Sequence, residues 1–252
     1  MSEAQVDIAG GEVTRESGRQ PGFFKRLLWV VTSPGRLMEC LAERPRVLFG
    51  LILTAVAGDA LYLARMPLYK DFLRKSSLAS MDYMESLTGQ KITAQMIEDS
   101  LPTAVTQGLI TTPAASIIVL LFITLIFFAI FKIMGGKGRY KAYLSVTAYS
   151  YVIPAIYLLL LIPVSFVTGS LHQDVPLTSL ATLAPADMSG TFLFGILKGI
   201  DVFSIWNYAV MAIGFTAVSK LKKAYVYGAV AAVFLLGLLI GAASESALGA
   251  LL

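Results

Sequence analysis

Asp59 is the residue best placed to do chemistry. It lies inside an apolar run at 47–64, bounded by Arg44 and Arg46 before it and Arg65 after it. An ionisable side chain within a membrane span is costly and marks a functional candidate. Asp59 lies 12 residues past Val47, about 18 Å into the span at 1.5 Å per residue. By the same rise Pro154 is at about 18 Å in its own span, Asn207 at about 16 Å and Gly237 at about 20 Å. These positions form one layer near the bilayer middle, with Tyr149, Ser150 and Tyr151 just below Pro154. A proline inside a helix frees the carbonyl four residues back, here that of Ser150. A polar layer beside a broken helix is how many transport sites are built. The alternative is structural: Asp59 hydrogen-bonds Asn207 or a tyrosine and locks the bundle, so that Asp59→Leu lowers stability.

Other groups offer less. Asp201 lies at about 26 Å, at the outer interface, where it suits a helix N-terminus. Lys198 is three residues away and within reach of pairing with it, so the two read either as an outer gate or lipid-headgroup site or as a capped helix start. The two acids differ in depth by about 8 Å, which argues against an aspartyl dyad. The turn Gly135-Gly136-Lys137-Gly138 lacks the Lys-Ser/Thr spacing of a phosphate loop and follows no strand. It reads as a tight basic loop between spans. The only cysteine is Cys40 and the only histidine is His172, which excludes an internal disulfide, a Cys cage and a His cluster. The expectation is a non-enzymatic protein with no cofactor and no metal.

Helices in a membrane must position these residues. Of the 252 residues, 56% are hydrophobic and 14% charged, with mean hydropathy +0.73. A soluble domain carries about 25% charged residues, so a cytosolic enzyme, a nucleic-acid-binding domain and a disordered chain are excluded. A span needs roughly 20 apolar residues. Five candidates emerge, at 47–64, 113–131, 142–167, 201–218 and 224–243. A short apolar run at 191–197 precedes the fourth. No alternating ten-residue pattern suggests a β-barrel. The expected fold is an all-α polytopic bundle.

Charge orients the bundle. The N-terminal segment, the 132–141 loop and the 219–223 loop share one side and carry 14 Lys and Arg, against 6 on the other. The positive-inside rule then puts the N-terminus in the cytoplasm and the C-terminus outside. Lys137, Arg139, Lys141, Lys220, Lys222 and Lys223 form a basic cytoplasmic face suited to anionic lipids or a protein partner. The net charge of +4 is thus a topology signal with no nucleic-acid partner implied.

Outside the spans, residues 1–20 are polar, of mixed charge, with no secretory signal pattern, and read as a disordered cytoplasmic tail. Residues 21–45 read as two amphipathic helices, with Ser33 a plausible N-cap before Pro34. They either lie on the cytoplasmic leaflet or pack on the bundle. Residues 65–112 form an extracytoplasmic helical segment, with Gly89 a break and Thr93 opening a run that leads through Pro102 into the second span. This segment caps the bundle or binds a partner. Residues 46–243 make the five-span domain and 244–252 a short outside tail. Small residues recur on one face of the first span (Gly50, Thr54, Gly58) and of the fifth (Ala224, Gly228, Ala232, then Gly237 and Gly241). Such faces serve intra-bundle packing or a homodimer seam.

Three stretches together carry a family resemblance. WVVTSPGRLMECLAERP precedes the first span, GGKGRYKAYLSVTAYSYVIP joins a Gly-rich turn to a Tyr- and Pro-containing span, and DVFSIWNYAVMAIGFTAVSKLKKAYVYG sets Asp, Phe and Trp at the head of the fourth. Over roughly 22–243 the chain resembles the Yip family, the Ypt/Rab-interacting membrane proteins, most closely its prokaryotic branch. The resemblance implies five spans and a cytosolic N-terminus. Eukaryotic members contact Rab GTPases in ER–Golgi traffic, so a eukaryotic source implies an ER or Golgi membrane. This chain departs from them in its short N-terminal segment. The prokaryotic branch implies no established activity. Two functions follow: a membrane-organising or adaptor protein in a bacterial cell membrane, or a small transporter, channel or lipid-translocating protein using the layer around Asp59.

Overall fold

The structure, a computed structural model, describes residues 22–250 apart from 90, 92 and 174. The polar tail at 1–20 lies outside the described residues. Among the described residues every regular element is helical. The elements in order are α1 (Phe23–Thr32), α2 (Pro34–Glu43), α3 (Leu48–Ala64), α4 (Met66–Ala79), α5 (Met81–Thr88), α6 (Ala94–Ile133), α7 (Tyr140–Ser150), α8 (Val152–Thr168), α9 (Phe192–Gly199), α10 (Val202–Ser219) and α11 (Lys223–Gly249).

Four passages are long and apolar enough to cross a membrane, and a fifth joins them if α3 and α4 count as one bent span. α3 has 17 residues and reaches about 26 Å, just short of a hydrocarbon core of about 30 Å. α4 leaves it at a bend of 72°. α6 has 40 residues, about 60 Å, twice that thickness. It runs through Pro102 and Pro113 and is longer than a single crossing requires. Thr93 caps it by accepting from the Met96 N–H at 3.3 Å. α4 is clamped to the first half of α6 by Arg74, whose Nη2 donates to Glu98 at 2.9 Å. The same guanidinium holds the exposed Glu98 carboxyl below its ordinary value.

The 142–167 run is not one helix. It breaks at Tyr151 into α7 and α8, although the 29-residue passage remains apolar enough to span. The backbone nearly bridges the break: Tyr151 N–H reaches Thr147 O and Ala155 N–H reaches Tyr151 O, both at 3.1 Å. Pro154, with no N–H, leaves the Ser150 carbonyl without its helical partner. α11 runs on to Gly249, past the expected end at 243.

The core joins α2, α6, α7 and α10. Phe127, Phe131, Tyr143 and Phe215 stack within it, with Phe127 and Phe215 centroids 4.9 Å apart. Val30, Leu37, Met38 and Leu41 bring α1 and α2 into the same core. Their opposite face does not pack: Phe24 is 80% and Leu28 60% exposed while Val30 is 0% exposed. Both helices therefore dock on the bundle with one face; α1 leaves a second, apolar face outside it, while the exposed residues of α2 are Arg36, Glu39 and Glu43. Trp206 is half-buried and packs on the core beside Phe203.

Small residues set close approaches at two places. A Cβ on Gly50 would lie 2.6 Å from the Ala148 carbonyl oxygen, and one on Gly195 would lie 2.5 Å from Ala242 Cα. The α3 small-residue face thus packs within the bundle. On α11, Gly228, Gly237 and Gly241 have nothing within 4 Å of an added Cβ.

Candidate functional site

Two ends of the bundle carry polar groups, and the mid-span residues lie between them. At the end that holds α1 and α2, Ser145 pins the start of α3: its Oγ accepts from Arg46 N–H and donates to Arg46 O, both at 3.0 Å. The 134–139 turn is fastened to the end of α10, since Lys137 N–H donates to Ser219 O at 2.8 Å. Tyr143 OH donates to Lys137 O at 2.8 Å. Gly135 and Gly138 take φ of 83° and 88°, and Lys220 closes α10 with φ of 59°. The turn is a docked loop, as its spacing implies.

This arrangement brings Lys137, Arg139, Lys141 and Lys220 around one cavity of about 630 Å³, with Glu43 as its one acid. Lys223 joins Lys220 in a neighbouring groove beside Glu39. Lys222 caps α11. A third cavity, of about 700 Å³, is lined by Phe23, Arg26, Pro45, Arg46, Val47, Leu48, Phe49, Leu51 and Lys141, with no acid among them. Arg26 Nη1 donates to Tyr149 OH at 3.1 Å there. Leu48, Ile52 and Val56 continue from this groove as an exposed apolar stripe along α3. Arg26 and Arg46 were not singled out by residue type and spacing, because only docking of α1 against α3 and α7 sets them beside Lys141.

The mid-span layer does not assemble as expected. Tyr149 turns toward α1 and Arg26. Ser150 Oγ donates within its own helix to Thr147 O at 2.8 Å. Asp59 Oδ1 and Asn207 Oδ1 are both buried with no hydrogen-bond partner. The anticipated lock from Asp59 to Asn207 or to a tyrosine is therefore absent among the described residues. α3 packs on α6, α7 and α8, while α10 packs on α2, α7, α8 and α11, so the two orphaned oxygens belong to helices that share α7 and α8 as neighbours.

The outer pair is also corrected. Lys198 reaches across to Glu245 on α11 at 2.9 Å and does not bond Asp201. Asp201 is turned the other way. It caps α10 by accepting from Ser204 N–H at 2.8 Å, and it accepts from the Thr178 hydroxyl. Three residues on a turn favour a pair only when both side chains leave the same face. Here α9 ends at Gly199 and the chain turns before α10 begins.

That far end holds a residue read only as a boundary. Arg65, between α3 and α4, is 7% exposed. Its Nη1 donates to Ser165 Oγ at 3.1 Å and to Leu171 O at 2.6 Å. Nearby, Tyr157 OH accepts from Leu177 N–H at 3.1 Å. A basic residue at the end of an apolar run marks a boundary by default. Nothing in the local sequence shows that α8 and the 169–179 loop fold over it. Among the described residues no group of three or more His, Cys, Asp or Glu is placed to hold a metal.

A family profile described as "Yip1 domain" matches residues 29–243. The chain is 27% identical over 214 residues to Membrane protein YknW of Bacillus subtilis (strain 168), covering 85% of this chain and 86% of that protein. No solved structure matches the chain.

Proposed function

Because this chain is a multi-pass membrane protein of the Yip1 family, we propose that it is a non-enzymatic membrane-organising or adaptor protein of a bacterial cell membrane. It works through the end that carries α1 and α2. The observation that carries this reading is the two-faced first helix, docked beside α2. Val30, Leu37, Met38 and Leu41 are sealed in the core, while Phe24, Leu28 and Val31 project from the other side. An apolar helix face beside the Arg26, Arg46 and Lys141 groove suits a helix half-sunk in a headgroup region of anionic lipids. The gathering of Lys137, Arg139, Lys141 and Lys220 at the same end fits a cytoplasmic placement of that end. The N-terminus is then cytoplasmic and the C-terminus outside.

The test is capture of the full chain from native membranes in mild detergent, with proteins and lipids both identified. A stoichiometric protein partner is expected, whose recovery falls at least several-fold with Phe24→Glu/Leu28→Glu at unchanged expression and melting temperature. Trp29 quenching by shallow brominated lipids, read in Trp206→Phe, is expected to report the immersion of α1. Recovery that ignores the double variant would end the adaptor reading.

A second reading rests on Asp59. Its buried Oδ1 has no partner, and Gly58 beside it lines a cavity at the far end of the bundle. A solute- or lipid-handling role would use that carboxylate. Asp59→Asn then abolishes flux without loss of expression, and unchanged flux ends the proton-coupled form of this reading.

A further inference from the structure

A guanidinium out of water is costly unless a counter-charge and hydrogen bonds offset it. Arg65 is such a group. Its residue is 7% exposed. Of its five donors, only those on Nη1 are engaged, by Ser165 Oγ and Leu171 O. Nε is buried with no partner. The ion pairs among the described residues are Arg74–Glu98, Lys75–Asp71 and Lys198–Glu245, and none of them involves Arg65. Asp201, the buried acid at this end, is committed to Thr178 and to the first turn of α10. The C-terminus of α3 offers only about half a negative charge, spread over its last carbonyls.

Arg65 forms part of the wall of a cavity of about 320 Å³ between α3, α4, α6 and α8. Its polar lining includes Tyr69, Thr112 and Gln173. Tyr62 OH is spent on Val105 O at 3.2 Å and Ser116 Oγ on Thr112 O at 2.9 Å. The Thr112 hydroxyl and the Gln173 amide also line the cavity and carry donors. A planar cation with donors to spare, beside polar neutral groups and with no acid among the described lining residues, is matched by an oxyanion. Arg binds carboxylates and phosphates through paired, charge-assisted bonds.

We propose that this cavity is an oxyanion-binding site, in which a phosphate or carboxylate group is the counter-charge of Arg65, with Thr112 and Gln173 supplying further donors. The group belongs either to a lipid headgroup or to a small soluble anion. This site lies at the opposite end from α1 and α2, so it stands whether or not the adaptor reading does.

The experiment uses the full chain and three probes: inorganic phosphate and acetate in zwitterionic detergent at constant ionic strength, and phosphatidylglycerol against phosphatidylcholine in nanodiscs. Thermal unfolding and native mass spectrometry read out binding. Saturable stabilisation by at least one probe is expected. It should weaken by roughly tenfold or more in Arg65→Gln, as expected for loss of a charge-assisted pair. Thr112→Val/Gln173→Leu leaves the guanidinium in place. It should weaken binding by several-fold while the probe-free melting temperature stays within that of the wild type, which keeps the test valid if Arg65→Gln does not fold. A response to phosphatidylglycerol alone identifies a headgroup, and a response to phosphate or acetate identifies a soluble anion. No response to any probe, or a response unchanged in the Thr112→Val/Gln173→Leu variant, overturns the site.

Discussion

Asp59 shows how a single atom's surroundings reverse the sign of an expectation. A carboxylate bonded to Asn207 would make Asp59→Leu destabilising. Asp59 Oδ1 is instead buried without a partner. An unsatisfied buried polar group costs about 1–3 kcal/mol, and an acid at mid-span carries a similar penalty. Asp59→Leu is therefore expected to raise stability by about 1–2 kcal/mol, read as a higher melting temperature in detergent. A fall would show that the carboxylate has a partner that matters to folding. An orphaned acid retained at that cost is the strongest reason to measure flux in Asp59→Asn. Lys198 and Asp201 carry the same lesson. Each finds a partner, at Glu245 and at Thr178 with Ser204, that is distant in sequence or set by a helix start.

At the scale of elements, the small-residue faces divide. Gly50 of α3 meets Ala148 of α7 at a separation that admits no side chain. Gly50→Val is expected to cost about 1–3 kcal/mol, as overpacking does, and to lower the melting temperature. Gly237 of α11 meets nothing within 4 Å. Gly237→Val should leave the monomer's melting temperature nearly unchanged. If that face is a seam between two copies, the same variant lowers the molecular mass found by light scattering from dimer to monomer. A monomeric wild type removes the homodimer from consideration. The break at Tyr151, three residues before Pro154, and the 72° bend between α3 and α4 belong to this scale too. Hydropathy averages over such breaks and reports one run.

For the whole molecule, the expected prediction concerns sidedness. In a Cys40→Ser background, Lys220→Cys should react with a membrane-impermeant maleimide only after permeabilisation. Ser76→Cys, on α4 at the other end, should react in intact cells. The reverse pattern would overturn the cytoplasmic assignment and place the Arg65 cavity inside. Much of the architecture was legible beforehand. Apolar runs about 20 residues long, bounded by charge, can only be helices in a membrane, because lipid offers no partner for an open backbone. The helical class, the lack of a Cys or His metal set, the family resemblance and the basic loops at 132–141 and 219–223 all follow from local composition and spacing. Which buried polar atoms are satisfied does not follow, because hydrogen bonds such as Arg65 to Ser165, 100 residues apart, are settled by packing. The tertiary structure alone decided that α1 and α2 enter the core with one face, that Asp59 and Asn207 stay apart, and that Arg65 is a buried cation. Burial and partnership are properties of neighbours, and helix packing chooses neighbours at distances along the chain that periodicity does not reach.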